Sequence, residues 1–350
     1  MERVDKGLAF MLKYENVAWY ENGKVSILDR RIYPIEVKFV LCTSYKEVAK
    51  AIKDMVTQSA GPYTAAGMGM ALAAYECRSL AESEQIKYLE KAAYTLANAR
   101  PTTANRMSLI VKGCLEAGRV AMDKGGKVDV AIFEHTVNSI NRRYLTMGIV
   151  AKYLVDMFPQ NGNVMTQCFG ETIVGMMLKE AKSRNKNIKL FCPETRPYLQ
   201  GARLTASVAY DQGFDVTVIT DNMPASTMKT KNIDVFTSAA DSICLDGHIV
   251  NKVGTMQIAI VAKYFEVPYF VTGIPDRAYE RISQVKIEER DPIEVLKFRG
   301  IKHTMEGVKG YYPAFDITPP NLVSGVVTDK GILSPYDLHR YFESSVENFY

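Results

Sequence analysis

The sequence predicts an α/β protein. A C-terminal Rossmann-like domain with a doubly wound parallel sheet, over residues 146–350, is preceded by a mostly helical N-terminal domain with a small β element, over residues 1–145. Two observations carry this prediction. From residue 161 onward, short β-branched runs alternate with stretches of helical period, the pattern of repeated strand–helix–strand units. Before residue 161 there is one hairpin-like region and then helix upon helix. A length of 350 residues is enough for two cores.

In chain order, residues 17–20 and 25–28 alternate about Asn22-Gly23 and predict a hairpin, followed by an extended segment over 35–42. Residues 45–55 place Val48, Ile52 and Met55 on one helical face. The stretch 59–74 is dominated by Ala and Gly; Ala60-Gly61-Pro62 forms a turn and the rest a helix able to pack closely. Its exposed amides either bind an anion or simply allow that packing. Further helices are predicted over 82–97, 103–124 and 128–158, the last linking the two halves. Arg100, just before Pro101, is placed either to reach a ligand or to cap the preceding carbonyls.

In the second half, strands are predicted over 164–168, 188–192, 214–220, 233–237 and 268–273. Helices are predicted over 172–182, 201–212, 225–231 and 255–265. Strands alternating with helices at this spacing form a parallel sheet, and such sheets bind ligands beyond the carboxyl ends of their strands. That rule gathers Cys168, the Pro193–Arg196 segment, Asp221-Asn222 and Asp241, with Asn251-Lys252 opening the approach to a helix. The tail from Lys286 is Pro-rich, and the sequence predicts that it wraps the sheet domain or a partner subunit.

Composition narrows the function. The net charge of +4 is small, and no Lys/Arg block is interleaved with aromatics, which argues against nucleic acid as a partner. No apolar run is long enough to span a membrane, and the charged N-terminus lacks a signal-peptide core. Six scattered cysteines, no C-x-x-C and no paired histidines predict no metal site and a reducing cytoplasmic setting. Gly67-x-Gly69 does not follow a strand, so a nicotinamide-dependent dehydrogenase is excluded and no cofactor is predicted.

A thiol and a carboxyl at strand ends can together move protons. Amides at a helix N-terminus would lower the pKa of Cys168, and the apolar neighbours of Asp241 would keep it protonated as a donor. An acid and a base on one substrate are the layout of an isomerase.

One block of the sequence is specific, Cys192–Thr205 (CPETRPYLQGARLT), and Thr220–Met223, Ala240-Asp241, Asn251–Thr255, Ile287–Pro292 and Pro313–Pro319 support it. Through these blocks nearly the whole chain resembles the methylthioribose-1-phosphate isomerases. Their superfamily also holds the ribose-1,5-bisphosphate isomerases and the regulatory subunits of translation initiation factor two-B. The resemblance implies Cys168 and Asp241 as the catalytic pair, with Gln58, Ser59, Ala60, Arg100, Gln200, Asn251 and Lys252 as substrate contacts. It implies aldose-to-ketose conversion of a 5-substituted ribose 1-phosphate, carrying a 5-methylthio or a 5-deoxy group, to the ribulose 1-phosphate. Asp241 would protonate the ring oxygen. Cys168 would act at the second carbon, by taking its proton or by stabilising a hydride shift.

Two motifs depart from the family. Gln58 stands where it has an arginine, so a charge-assisted phosphate contact is lost unless Lys252 and Arg100 compensate. Gln167-Cys168-Phe169-Gly170-Glu171 replaces His-Cys-Asn-Ala-Gly and reshapes the pocket. These departures keep open an alternative, a regulatory subunit that senses a sugar phosphate or nucleotide. Apolar helices and the long tail predict a homodimer.

Overall fold

A computed structural model describes residues 3–100 and 104–343, which divide between Leu145 and Thr146 into two compact units. Pro101, Thr102 and Thr103, where the sequence places a helix start, lie outside the described residues, as do residues 344–350 of the tail.

In the N-terminal unit, the turn α1 (Tyr14–Val17) leads into an antiparallel meander of β1 (Ala18–Glu21), β2 (Lys24–Leu28) and β3 (Phe39–Cys42). Helix α2 (Tyr45–Lys53) opens on a capping box. Ser44 Oγ accepts from the Glu47 N–H at 3.3 Å, and the Glu47 carboxylate accepts from the Ser44 N–H at 3.3 Å. Two donors that the helix start would leave orphaned are thereby satisfied. Helix α3 (Gly61–Cys77) is buried along almost its whole length. Its small residues make that placement possible: a Cβ on Gly67 would lie 2.5 Å from Thr136 Cγ2. Helices α4 (Glu82–Ala97), α5 (Ala104–Asp123) and α6 (Val128–Asp156) complete the helical part, the division between units falling within α6.

The C-terminal unit alternates as predicted: β4 (Asn161–Met165), α7 (Glu171–Ser183), β5 (Asn187–Pro193), a π-helical turn Gly201–Thr205 running into α8 (Ala206–Asp211), β6 (Asp215–Ile219), α9 (Pro224–Lys231) and β7 (Val235–Ala239). After β8 (Ser242–Ile243), β9 (Ile249–Lys252), α10 (Thr255–Tyr264) and β10 (Tyr269–Thr272), the tail supplies several short elements. They are α11 (Ile293–Leu296), β11 (Lys297–Phe298), β12 (Ile301–Lys302), β13 (Phe315–Thr318), β14 (Gly325–Thr328), β15 (Gly331–Leu333) and α12 (Arg340–Glu343). The main sheet has the order β15-β14-β10-β7-β4-β5-β6, parallel throughout except for β15. Met165, Phe236, Val271 and Val326 are fully buried in its core, where Phe236 stacks on Tyr269 at 4.3 Å. Each such side chain contributes roughly 1.5–3 kcal/mol of burial free energy.

One expectation needs correction. The tail does not merely wrap the sheet: β13 completes a second, antiparallel sheet β13-β9-β8, and β14 and β15 extend the main one. Asn251 and Lys252 end strand β9, whose β-branched Ile249-Val250 pair is in register with Ile317 and Thr318, and three residues later α10 begins at Thr255 as the sequence predicts.

Candidate active site

From β4 the chain builds β5 and β6 outward on one side, then returns to place β7 on the other side of β4. The sheet's switch point therefore lies between the carboxyl ends of β4 and β7, where open α/β sheets leave a crevice. Cys168 lies three residues beyond β4, and Asp241 two residues beyond β7. Topology thus brings two residues far apart in sequence to the same crevice.

The loop carrying Cys168 is tightly held. Cys168 has a left-handed backbone (φ 59°), its carbonyl accepts from Thr205 Oγ1 at 2.5 Å, and Gln167 Nε2 donates to the Val253 carbonyl at 3.1 Å. A non-glycine residue at φ > 0 costs on the order of 1 kcal/mol or more, and such positions concentrate at functional sites. Among the described residues, Cys168 is the one cysteine that is not fully buried. Burial nonetheless pushes its thiol up to about 11. The Asp241 charge adds to the rise, while Lys252, the Phe169 N–H and Arg290 oppose it. The expectation of a thiolate stabilised by helix amides is thereby corrected: the one backbone N–H that favours the thiolate, that of Phe169, lies in the loop before α7, and desolvation outweighs it.

Asp241 is exposed and held by its backbone N–H, which donates to the Val250 carbonyl at 2.9 Å. The apolar surround expected for its carboxyl is absent, because β7 ends before it and its side chain faces out of the core. Lys252, in contrast, is 4% exposed; its Nζ donates to the Ala314 carbonyl at 2.9 Å and sits 4.7 Å from the centre of the Phe315 ring. Lys252 is paired with Phe315 in the β9–β13 register. Asn251 is also buried and donates to Thr255 Oγ1 at 3.1 Å. Opposite it, Asp316 accepts from the N–H groups of Gly254 (2.6 Å) and Met256 (3.2 Å) at the start of α10. Burial pushes the Asp316 carboxyl up to about 6, against those two hydrogen bonds and the Lys252 charge.

The loop after β5 is built on close backbone approach. A Cβ on Gly201 would lie 1.8 Å from the Pro193 carbonyl oxygen, so only glycine fits. Gln200 beside it is buried, and its Oε1 has no hydrogen-bond partner. Asp221 and the backbone of Arg196, read from the sequence as ligand-facing, serve the loop itself. The Asp221 carboxylate accepts from the N–H groups of Thr195 (2.8 Å) and Arg196 (2.7 Å), and Arg196 Nη2 donates to the Lys297 carbonyl at 2.9 Å.

Gln58, Ser59, Ala60 and Arg100 belong to the N-terminal unit. Gln58 is buried; its Nε2 donates to the Met55 carbonyl at 3.3 Å, and its Oε1 has no partner. Its carbonyl accepts from Nη1 of the fully buried Arg30 at 2.8 Å. Ser59 is left-handed (φ 59°), Ala60 is the N-cap of α3, and Arg100 is half-buried. In the C-terminal unit, Cys168, Asp241 and Lys252 come close enough that the thiol feels both charges. Sequence reasoning assigned no role to Arg290 or Tyr312, which also act on this thiol or feel it. The only signal was that Arg290 lies within the resembling block Ile287–Pro292 and Tyr312 just before the block Pro313–Pro319.

The model of the Initiation factor 2 subunit family matches residues 58–335. The chain belongs to that family. Within the family, a methylthioribose-1-phosphate isomerase of Thermosipho africanus is 33% identical over 349 residues, covering 95% of this chain and 99% of its own. The crystal structure of the 5-methylthioribose 1-phosphate isomerase from Pyrococcus horikoshii superposes with a TM-score of 0.82 at 28% identity, covering 95% of this chain and 98% of that one. A family member described as translation initiation factor eIF-2B, subunit delta, from A. fulgidus superposes with a TM-score of 0.77 at 29% identity, covering 91% of this chain and 96% of that one. By kinship with its curated relatives, this member of the Initiation factor 2 subunit family is an enzyme of the isomerase class.

Proposed function

We propose that the protein converts a 5-substituted ribose 1-phosphate, carrying a 5-methylthio or a 5-deoxy group, to the corresponding ribulose 1-phosphate. The observation that carries the reading is the meeting of Cys168, Asp241 and Lys252 beyond the carboxyl ends of β4 and β7. With phosphate on the anomeric oxygen the sugar cannot open to a free aldehyde, so the ring oxygen needs an acid. Asp241, whose exposed carboxyl the bound sugar shields from water, gives its proton to that oxygen as the bond to the first carbon breaks. Hydrogen then moves from the second carbon to the first, and the Asp241 carboxylate takes the proton from the second carbon's hydroxyl, leaving the ketone and restoring the acid. A thiol raised to about 11 is protonated at neutral pH and is a poor base, which favours the hydride route, with Cys168 lining the path of the migrating hydrogen. Lys252, Asn251 and Gln200 hold the phosphate. The setting we assign is a reducing cytoplasm, and the assembly a homodimer.

A second reading, a regulatory subunit without catalysis, draws on the A. fulgidus neighbour and on the replaced pocket motifs. One experiment separates the two. Proton and phosphorus NMR in D2O follows 5-methylthioribose 1-phosphate and 5-deoxyribose 1-phosphate with wild type and Cys168→Ser. The expected result is ketose phosphate with wild type only, without solvent deuterium at the first carbon. Deuterium there would establish the proton route. Saturable binding with no turnover of either sugar would replace the isomerase reading with the regulatory one.

A further inference from the structure

Arg290 is the least explained cation of the C-terminal unit. Its side chain is only 7% exposed, its Nε donates to Glu288 at 2.9 Å, and neither Nη1 nor Nη2 has a hydrogen-bond partner. A buried guanidinium with two unsatisfied donor groups costs stability unless something else occupies them. Tyr312 repeats the pattern: it is 3% exposed and its hydroxyl has no partner. The two side chains lie close enough to influence one another, yet make no hydrogen bond of ordinary geometry.

Both are held firmly. The Arg290 N–H donates to the Tyr312 carbonyl at 3.0 Å and the Ala314 N–H to the Glu288 carbonyl at 2.8 Å, about the Glu289–Pro313 bridge. The guanidinium lies 5.7 Å from the Tyr198 ring centre and 5.8 Å from that of Phe315. Phe315 is also the ring over which Lys252 sits, and the segment following Lys252 is tied to the Cys168 loop through Gln167. The unpartnered donors therefore belong to the crevice that holds the thiol.

We propose that the Arg290 guanidinium and the Tyr312 hydroxyl donate to the oxygen on the sugar's second carbon, holding it as it turns from hydroxyl to carbonyl. The inference rests on the isomerase reading and adds to it a pair of donors at the reacting centre. Glu288 already offsets much of the Arg290 charge, so the remaining donors suit an oxygen of developing partial charge better than a phosphate dianion. Arg290 and Tyr312 are both within electrostatic reach of the thiol placed at that same carbon, and donors fixed before the reaction stabilise charge without reorganisation.

Arg290→Lys keeps the charge but loses the fork, and Tyr312→Phe removes one oxygen and little else. Thermal unfolding confirms that each variant folds. With 5-methylthioribose 1-phosphate, kcat is expected to fall about 100-fold or more in Arg290→Lys and about 10-fold in Tyr312→Phe. KM should stay within about threefold of wild type in both, a split that a merely structural residue would not produce. Retention of kcat within about threefold in both folded variants, with wild type active, would overturn this inference and leave the isomerase reading standing. A raised KM with unchanged kcat would overturn it in favour of a phosphate contact. If wild type turns over neither sugar, the isomerase reading fails, and protection of Cys168 from iodoacetamide by the same sugar phosphate decides. Protection in wild type but not in Arg290→Lys keeps Arg290 as a ligand donor, whereas equal protection, or none in wild type, overturns it.

Discussion

At the scale of single residues, the consequential quantity is the protonation of Cys168. Burial raises its thiol from an ordinary value near 9 to about 11, so at neutral pH its thiolate fraction is about 100-fold lower than that of an unperturbed cysteine. Alkylation by iodoacetamide should be correspondingly slow at pH 7 and rise about tenfold per pH unit up to pH 10. Among the described residues the other cysteines are fully buried, so the reaction reports on Cys168. A rate that levels off near pH 7 would show an activated thiolate and return the proton route to favour. The sequence made this cysteine the last residue of a strand over 164–168, whereas β4 ends at Met165 and leaves it in the loop beyond, and it read the helix amides as lowering a pKa that burial raises. Proximity to a helix start can be read from a sequence, while the burial that outweighs it depends on how distant segments, among them those of Thr205 and Val253, pack against the Cys168 loop.

At the scale of elements, the start of α10 couples a strand of the second sheet to a helix through one carboxyl. Asp316 in β13 accepts from the Gly254 and Met256 N–H groups, yet burial lifts its pKa to about 6. The folded protein therefore holds a proton between about pH 4 and 6 that the unfolded chain has released. The stabilisation from this group is complete below about pH 4 and is lost as pH rises through 6. Asp316→Asn removes that titration. The stability of wild type relative to this variant, from urea unfolding, should fall between pH 4 and 6.5 by an amount on the order of 2 kcal/mol. A constant difference across that range would mean that the helix-start hydrogen bonds, not burial, govern the carboxyl. The alternating strands and helices from 161 to 272 were legible because each carries its own period. Strands β13, β14 and β15 were not read, although Gly325–Thr328 is a β-branched run followed by an Asp-Lys-Gly turn. Their partners are distant strands, and nothing local in a Pro-rich tail announces such pairing.

At the scale of the whole molecule, the proposed homodimer has a physical basis in apolar surface that the chain leaves uncovered. Along the C-terminal part of α6 and just beyond it, Ile149, Tyr153 and Met157 recur every four residues, and all three are exposed. Met256, Ile260 and Tyr264 repeat the same spacing on α10, with Tyr264 80% exposed. A stripe at that spacing is one face of a helix, and a surface helix ordinarily turns its apolar face to a core. Isolated exposed apolar residues need no explanation, but continuous stripes mark interaction surfaces. We expect light scattering to give a mass near twice that of the 39.2 kDa chain. The double substitution Ile149→Glu and Tyr153→Glu places two charges on the α6 stripe and should shift the mass to that of one chain, since buried unpaired carboxylates are costly. The matching change on α10, Ile260→Glu with Tyr264→Glu, identifies which stripe is used. A single-chain mass for the unmodified protein at tens of micromolar would overturn the dimer. A dimer that survives both double substitutions would place the interface away from these two helices.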